Sequence, residues 1–143
     1  MSQLDDPIIE RTADLEMDAD RLWELISTAD GWRSWFVDET DIVVAPGATG
    51  TATEDGIERE VRVDTVTEGR TIGLSWWQRD DPSCGSYVRL DIVELPHGGS
   101  QLRISERFIN ITPTATMSAA TTMLWDVRMV SLWLLALHST VMA

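Results

Sequence analysis

The feature that most constrains this chain is a change of hydrophobic period. Between Asp41 and Phe108 apolar residues recur at every second position in short runs, whereas from Ala119 to His138 they recur every third or fourth in one long run. Period two marks strands with one covered face, and the 3–4 spacing marks a helix. The strand-like runs are Asp41–Ala45, Thr49–Thr53, Glu58–Val66, Thr71–Gln78, Tyr87–Glu94 and Gln101–Phe108. Turn signals separate them at Pro46-Gly47, at Glu54-Asp55-Gly56-Ile57 and at Pro96-His97-Gly98-Gly99. Short turns between alternating runs predict an antiparallel sheet that is covered on one side only.

The cover comes from both ends. Ile8–Glu16 reads as a first strand, and Asp18 as the N-cap of a helix carrying Ala19, Leu22, Trp23 and Ile26. Asp30 reads as the cap of a second short helix, Gly31–Phe36, with Trp32 and Trp35. In the last helix Thr122, Trp125, Met129, Leu132 and Ala136 form one apolar face. The pattern predicts an α+β fold: a curved antiparallel sheet wrapped around a long C-terminal helix, with two short helices after the first strand. At 143 residues and with no linker or repeat, residues 1–143 read as one domain.

Charge narrows the function. The formal net charge is −13, which disfavours nucleic-acid backbones and anionic membrane surfaces. Every basic residue apart from the two His is Arg, so lysine Schiff-base chemistry and a phosphate-loop Lys are excluded. Cys84 is alone and forms no intramolecular disulfide. The acidic start, Met1 to Pro7, is unlike a secretory signal, and the most apolar run, Met129–Leu137, is shorter than a membrane span. The expected location is the cytoplasm, with neither membrane nor nucleic acid as partner.

The order of motifs resembles the START/polyketide-cyclase (SRPBCC) superfamily, in particular the branch of bacterial homologues of the heat-shock ATPase activator. The matching pieces are Asp18-Ala19-Asp20-Arg21-Leu22-Trp23, Gly31-Trp32-Arg33-Ser34-Trp35-Phe36, Gly47–Gly50, Val61–Val66, Arg70–Trp76, Gln101–Glu106, and Trp125 leading the last helix. They span about Ile8 to Leu137. The resemblance implies a helix-grip fold with a cavity between sheet and final helix, in which members bind lipids, polyketides or hormones. A few branches cyclise or dehydrate.

The residues themselves offer little catalytic machinery. His97 lies in a turn, and His138 falls with Arg128 and Ser131 on the polar side of the last helix. Two His and one Cys provide no metal-ligand spacing, and no cofactor motif is present. Glu106 continues the inward Leu102, Ile104, Phe108 face, and Arg59, in phase with Val61 and Val63, can meet it from the same side. This pair is either a structural ion pair at a cavity rim or a polar anchor for a ligand. Asp126, between two apolar stripes, calls for an ion-pair partner.

Seven Trp against two Phe and one Tyr suggest an apolar body meeting a polar site. The ligand-binding set expected is Trp35, Trp76, Trp125, Met129 and Trp133 as walls, with Arg59 and Glu106 as anchors. The expected partner is a small hydrophobic or aromatic molecule. A cyclase- or dehydratase-type enzyme using Glu106 or Asp126 remains open. So does a co-chaperone-like interaction module using Trp77 and a second stripe on the last helix. That stripe (Met123, Val130, Leu134, Leu137 and Val141) is covered either by a far-wrapping sheet or by a second subunit in a homodimer.

Overall fold

A computed structural model of the protein describes residues 8–109 and 112–142. The elements run β1 (Ile8–Leu15), α1 (Ala19–Ser27), α2 (Ala29–Trp35), β2 (Glu39–Thr40), β3 (Thr49–Glu54), β4 (Ile57–Thr67), β5 (Thr71–Gln78), β6 (Asp81–Glu94), β7 (Ser100–Ile109) and α3 (Ala115–Met142). The strands form one seven-stranded sheet in the order β1-β7-β6-β5-β4-β3-β2. All neighbours are antiparallel, and β1 closes beside β7, opposite Ile104 at Arg11. The inward faces of β4 to β7 supply Val61, Val63, Ile72, Leu74, Val88, Leu90, Leu102 and Ile104 to a core completed by Trp125, Leu132 and Ala136 of α3.

Local chemistry explains where the elements begin and end. Asp18 caps α1, its side chain accepting the Arg21 N–H at 2.8 Å. The cap of α2 is Thr28, not Asp30. Thr28 has the extended backbone a cap requires and its hydroxyl accepts the Gly31 N–H at 2.9 Å, while Asp30 sits inside the first turn and pairs with Arg33. Asp55 and Gly56 both have positive φ, as the tight β3–β4 hairpin demands.

Three segments differ from the sequence pattern by more than two residues. Asp41–Ala45 is not a strand: pairing with β3 is confined to Glu39 and Thr40. Beyond it the Asp41 carboxylate takes the Thr51 N–H at 2.7 Å, replacing a ladder bond with a side-chain one. Strand β6 starts at Asp81, well before Tyr87, because Pro82 lies where the β5–β6 register slips and no ladder N–H is needed. Helix α3 starts at Ala115 because Thr114 caps it, its hydroxyl accepting the Met117 N–H at 3.1 Å.

Gly31 is where the two short helices meet. A Cβ there would stand 2.5 Å from the Glu24 carbonyl oxygen and 2.6 Å from that of Leu25, both backbone atoms that cannot swing away. Gly31→Ala is therefore expected to destabilise by about 2–3 kcal/mol, the upper part of the range for overpacking, measured by urea denaturation. A change below 0.5 kcal/mol would mean that the helices separate freely.

The sheet does not wrap far enough to cover the second stripe of α3. Met123, Val127, Val130, Leu134 and Leu137 are 44–67% exposed. Ala115–Leu137 is in fact long and apolar enough to cross a membrane, so the apolar length exceeds the Met129–Leu137 run, yet Trp125, Leu132 and Ala136 within it are buried in the core. The readings of Met1–Pro7, and of the His138 and Val141 side chains, fall outside the described residues.

Candidate functional site

Phe36, the residue after α2, is the hub of an aromatic cluster. Its ring lies 4.8 Å from that of Trp32, 5.1 Å from Trp35, 5.2 Å from Trp76 and 5.5 Å from Trp125. Trp32 and Trp35 turn their indole N–H groups back to the Ile26 and Leu25 carbonyls, so both are satisfied within the α1–α2 layer. Trp76 and Trp125 turn theirs the other way, toward Glu106.

Glu106 is buried and accepts three hydrogen bonds. Its Oε1 takes the Trp125 Nε1–H at 2.7 Å, and its Oε2 takes the Ser86 hydroxyl and, at 3.2 Å, the Trp76 Nε1–H. The ion pair expected between Glu106 and Arg59 does not form. Arg59 instead approaches Glu54 at 3.5 Å and lays its guanidinium 4.5 Å over the Trp76 ring. Two features of the strands explain this. Ser86, in phase with Val88 and Leu90, stands directly opposite both Trp76 and Phe108, and so reaches Glu106 first. Glu54, at the end of β3, lies beside Arg59's end of β4.

Arg128 is the residue that sequence reasoning placed wrongly. It was expected on the polar side of α3 and is 3% exposed. Its Nε donates to the Phe36 carbonyl at 3.1 Å and its guanidinium pairs with Glu54. It also stacks 4.4 Å over Trp125 and 5.4 Å over Trp76. Arg128 comes three residues after Trp125 and four before Leu132, which sets it at the edge of the arc of α3 that faces the sheet, where spacing alone does not decide burial. Glu54 and Phe36 were missed because one reads as a turn residue and the other as the tail of a short helix.

The site thus holds two guanidinium groups and two carboxylates in contact with tryptophan rings. Burial, and next the neighbouring Arg128 charge, pull the Arg59 guanidinium below the usual arginine range, while Glu54 and Glu106 pull it back. Among the described residues no buried side-chain nitrogen or oxygen lacks a hydrogen-bond partner.

Beside this cluster runs a cleft of about 250 Å³, between the sheet and the N-terminal half of α3. Trp76, Phe108, Met117 and Leu124 line its apolar part, and Arg59, Gln78, Ser86, Glu106 and Arg128 its polar part. Of the seven residues singled out in sequence, Arg59, Trp76 and Glu106 come together there. Trp35 and Trp125 are closed core, and Met129 is half-buried against it. Trp133 is 55% exposed and lines a separate groove with His97, Leu95 and Ala136, at the far end of α3. Asp126 is exposed and pairs with Arg11 of β1 at 2.8 Å. No group of three or more potential metal ligands converges among the described residues.

No protein-family model matches this sequence, and no curated protein matches it. Solved structures do match in shape. Protein MLL2253 of Mesorhizobium loti is 18% identical, with a TM-score of 0.79 over 90% of this chain and 96% of its own. The Aha1 dimer from Colwellia psychrerythraea is 16% identical, with a TM-score of 0.75 over 89% and 93%. This chain shares their helix-grip fold, an antiparallel sheet packed against a long C-terminal helix. DynU16, from the dynemicin biosynthetic locus, is 15% identical with a TM-score of 0.78, and this helix-grip chain spans 46% of its length. Within the helix-grip frame the cleft lies between the sheet and the final helix, with Trp76 of the Phe36 cluster in its wall.

Proposed function

We propose that the protein binds a small apolar or aromatic molecule carrying an acidic or hydrogen-bond-accepting oxygen, in the cleft beside Trp76. The observation that carries this reading is the pairing of an apolar wall with an incompletely matched Arg59. Its contact to Glu54 is long, at 3.5 Å, and burial together with Arg128 works against its charge. An acceptor oxygen arriving at the cleft supplies what the guanidinium lacks, while Phe108, Met117 and Leu124 accept the apolar body. The volume of about 250 Å³ falls just below the ~300–1,000 Å³ of drug-sized pockets, which favours a ligand of about two fused rings. That one neighbour belongs to a biosynthetic locus agrees with a small-molecule ligand.

Holding suits this site better than proton transfer. The Trp76 and Trp125 N–H groups can only donate, so between them they engage both oxygens of Glu106 as acceptors. Calorimetric titration with 2-naphthoate is expected to show one saturable site that naphthalene fills more weakly. Arg59→Met should weaken the naphthoate complex by about tenfold or more, the worth of a hydrogen bond to a charged group, and leave naphthalene binding nearly unchanged. Equal loss for both ligands, or no saturable binding, would remove Arg59 as the anchor.

A further inference from the structure

Helix α3 presents a second apolar face that none of the described residues covers. Met123, Val127, Val130, Leu134 and Leu137 follow one another at spacings of four, three, four and three, the seam of a heptad repeat. All five are exposed, and they lie on the opposite side of the helix from the buried Trp125, Leu132 and Ala136. Exposed apolar residues scattered singly are ordinary, but a continuous seam is not.

Charge separates this face from the rest of the surface. The chain is 24% charged, which would place about seven charged residues in a helix of 28. Only Asp126 and Arg128 are Asp, Glu, Lys or Arg, and both are engaged elsewhere, Asp126 with Arg11 and Arg128 with Glu54 beneath the helix. Depletion of charge at the centre with apolar and aromatic side chains in its place is the composition of an interface core. Trp133 stands beside the seam, 55% exposed.

We infer that this face is the interface of a homodimer, in which α3 of one copy packs along α3 of a second copy about a two-fold axis. Area supports a second copy. The exposed parts of the five seam residues and Trp133 amount to roughly 600 Å² per chain, so a pair buries roughly 1,200 Å² in total, the lower bound of standard interfaces. Sequence symmetry supports it too, because a single helical seam is complementary to itself and a two-fold interface uses the same patch twice. Val130 lies midway between Met123 and Leu137, so parallel and antiparallel pairings centred on the seam both set it against its own copy. Each copy carries a net charge of −13, so the association works against long-range repulsion and is strengthened by salt.

The test is sedimentation velocity over low to high micromolar protein, at low and high salt. The expected result is a monomer–dimer equilibrium that shifts toward dimer with salt. Leu134→Glu should weaken it by about thirtyfold or more, as loss of a hot spot does, whereas Arg103→Glu, on an exposed position of the sheet, should not. Circular dichroism on Leu134→Glu checks that the exposed substitution leaves the fold intact. Val130→Cys in a Cys84→Ser background should form a disulfide-linked dimer on mild oxidation. Wild-type protein that stays monomeric in high salt, a dimer indifferent to Leu134→Glu, or a monomer that instead floats with phosphatidylcholine vesicles through the same residues would each overturn the proposal.

Discussion

Trp125→Ala is expected to destabilise the protein by about 4–5 kcal/mol, near the top of the range for truncating a buried aromatic. The ring is inaccessible to solvent, stacks on Phe36 at 5.5 Å and lies under the Arg128 guanidinium at 4.4 Å. Its loss opens a cavity that Leu132 and Phe36 cannot fill without leaving their own partners. It also strips Oε1 of Glu106 of its 2.7 Å donor. Leaving a buried acceptor short of a partner adds about 1–3 kcal/mol, more when the group is charged. Trp125→Phe separates the two effects, since it keeps most of the ring and removes only the N–H, and should cost about 2 kcal/mol. Guanidinium denaturation measures both. A loss near 1 kcal/mol for the alanine variant would identify Trp125 as a loosely packed pocket wall rather than part of the core.

Glu54→Gln comes next in size, at about 3–5 kcal/mol. Glu54 is the carboxylate shared by Arg128 and Arg59, whose side chains are 3% and 18% exposed. Neutralising it leaves two nearby guanidinium charges in a poorly solvated site, with Glu106 left to offset that of Arg59. Breaking a buried ion pair from one side costs more than the pair contributes, because the remaining charge stays desolvated. Arg128→Met should cost less, since Arg59 then stays near Glu54 and the methionine fills much of the vacated volume. The order of the two variants is the informative result: if Arg128→Met proves the worse, packing over Trp125 outweighs charge balance.

These two residues also mark the limit of what could be read from the sequence. The sheet, the two short helices and the closing helix were legible because each follows one period over many residues. Glu106 was legible as an inward carboxylate because it continues a strict alternation with Leu102 and Ile104. Its partners were not. Cross-strand register decides that Ser86 and not Arg59 reaches it, and register depends on a β5–β6 slip around Pro82, in the stretch between two alternating runs. Trp35, Trp76 and Trp125 were expected to share one cavity, and their spacing could not reveal that Phe36 would stand between them. The burial of Arg128 depends on how far the sheet curls past the helix axis, a tertiary quantity to which the helical wheel is blind. The wheel did expose the second stripe, and only the fold could show that none of the described strands covers it.

The central claim, a ligand held against Trp76 and Glu106, is tested most directly by the indole N–H resonances in a 15N–1H correlation spectrum. The seven Trp provide markers across the molecule. Titration with 2-naphthoate should move the Trp76 and Trp125 signals together and saturably, because both donate to Glu106 at the floor of the cleft. Trp133, in the separate groove at the far end of α3, should stay still. Saturable shifts confined to Trp133, with Trp76 and Trp125 unmoved, would contradict the assignment of the site.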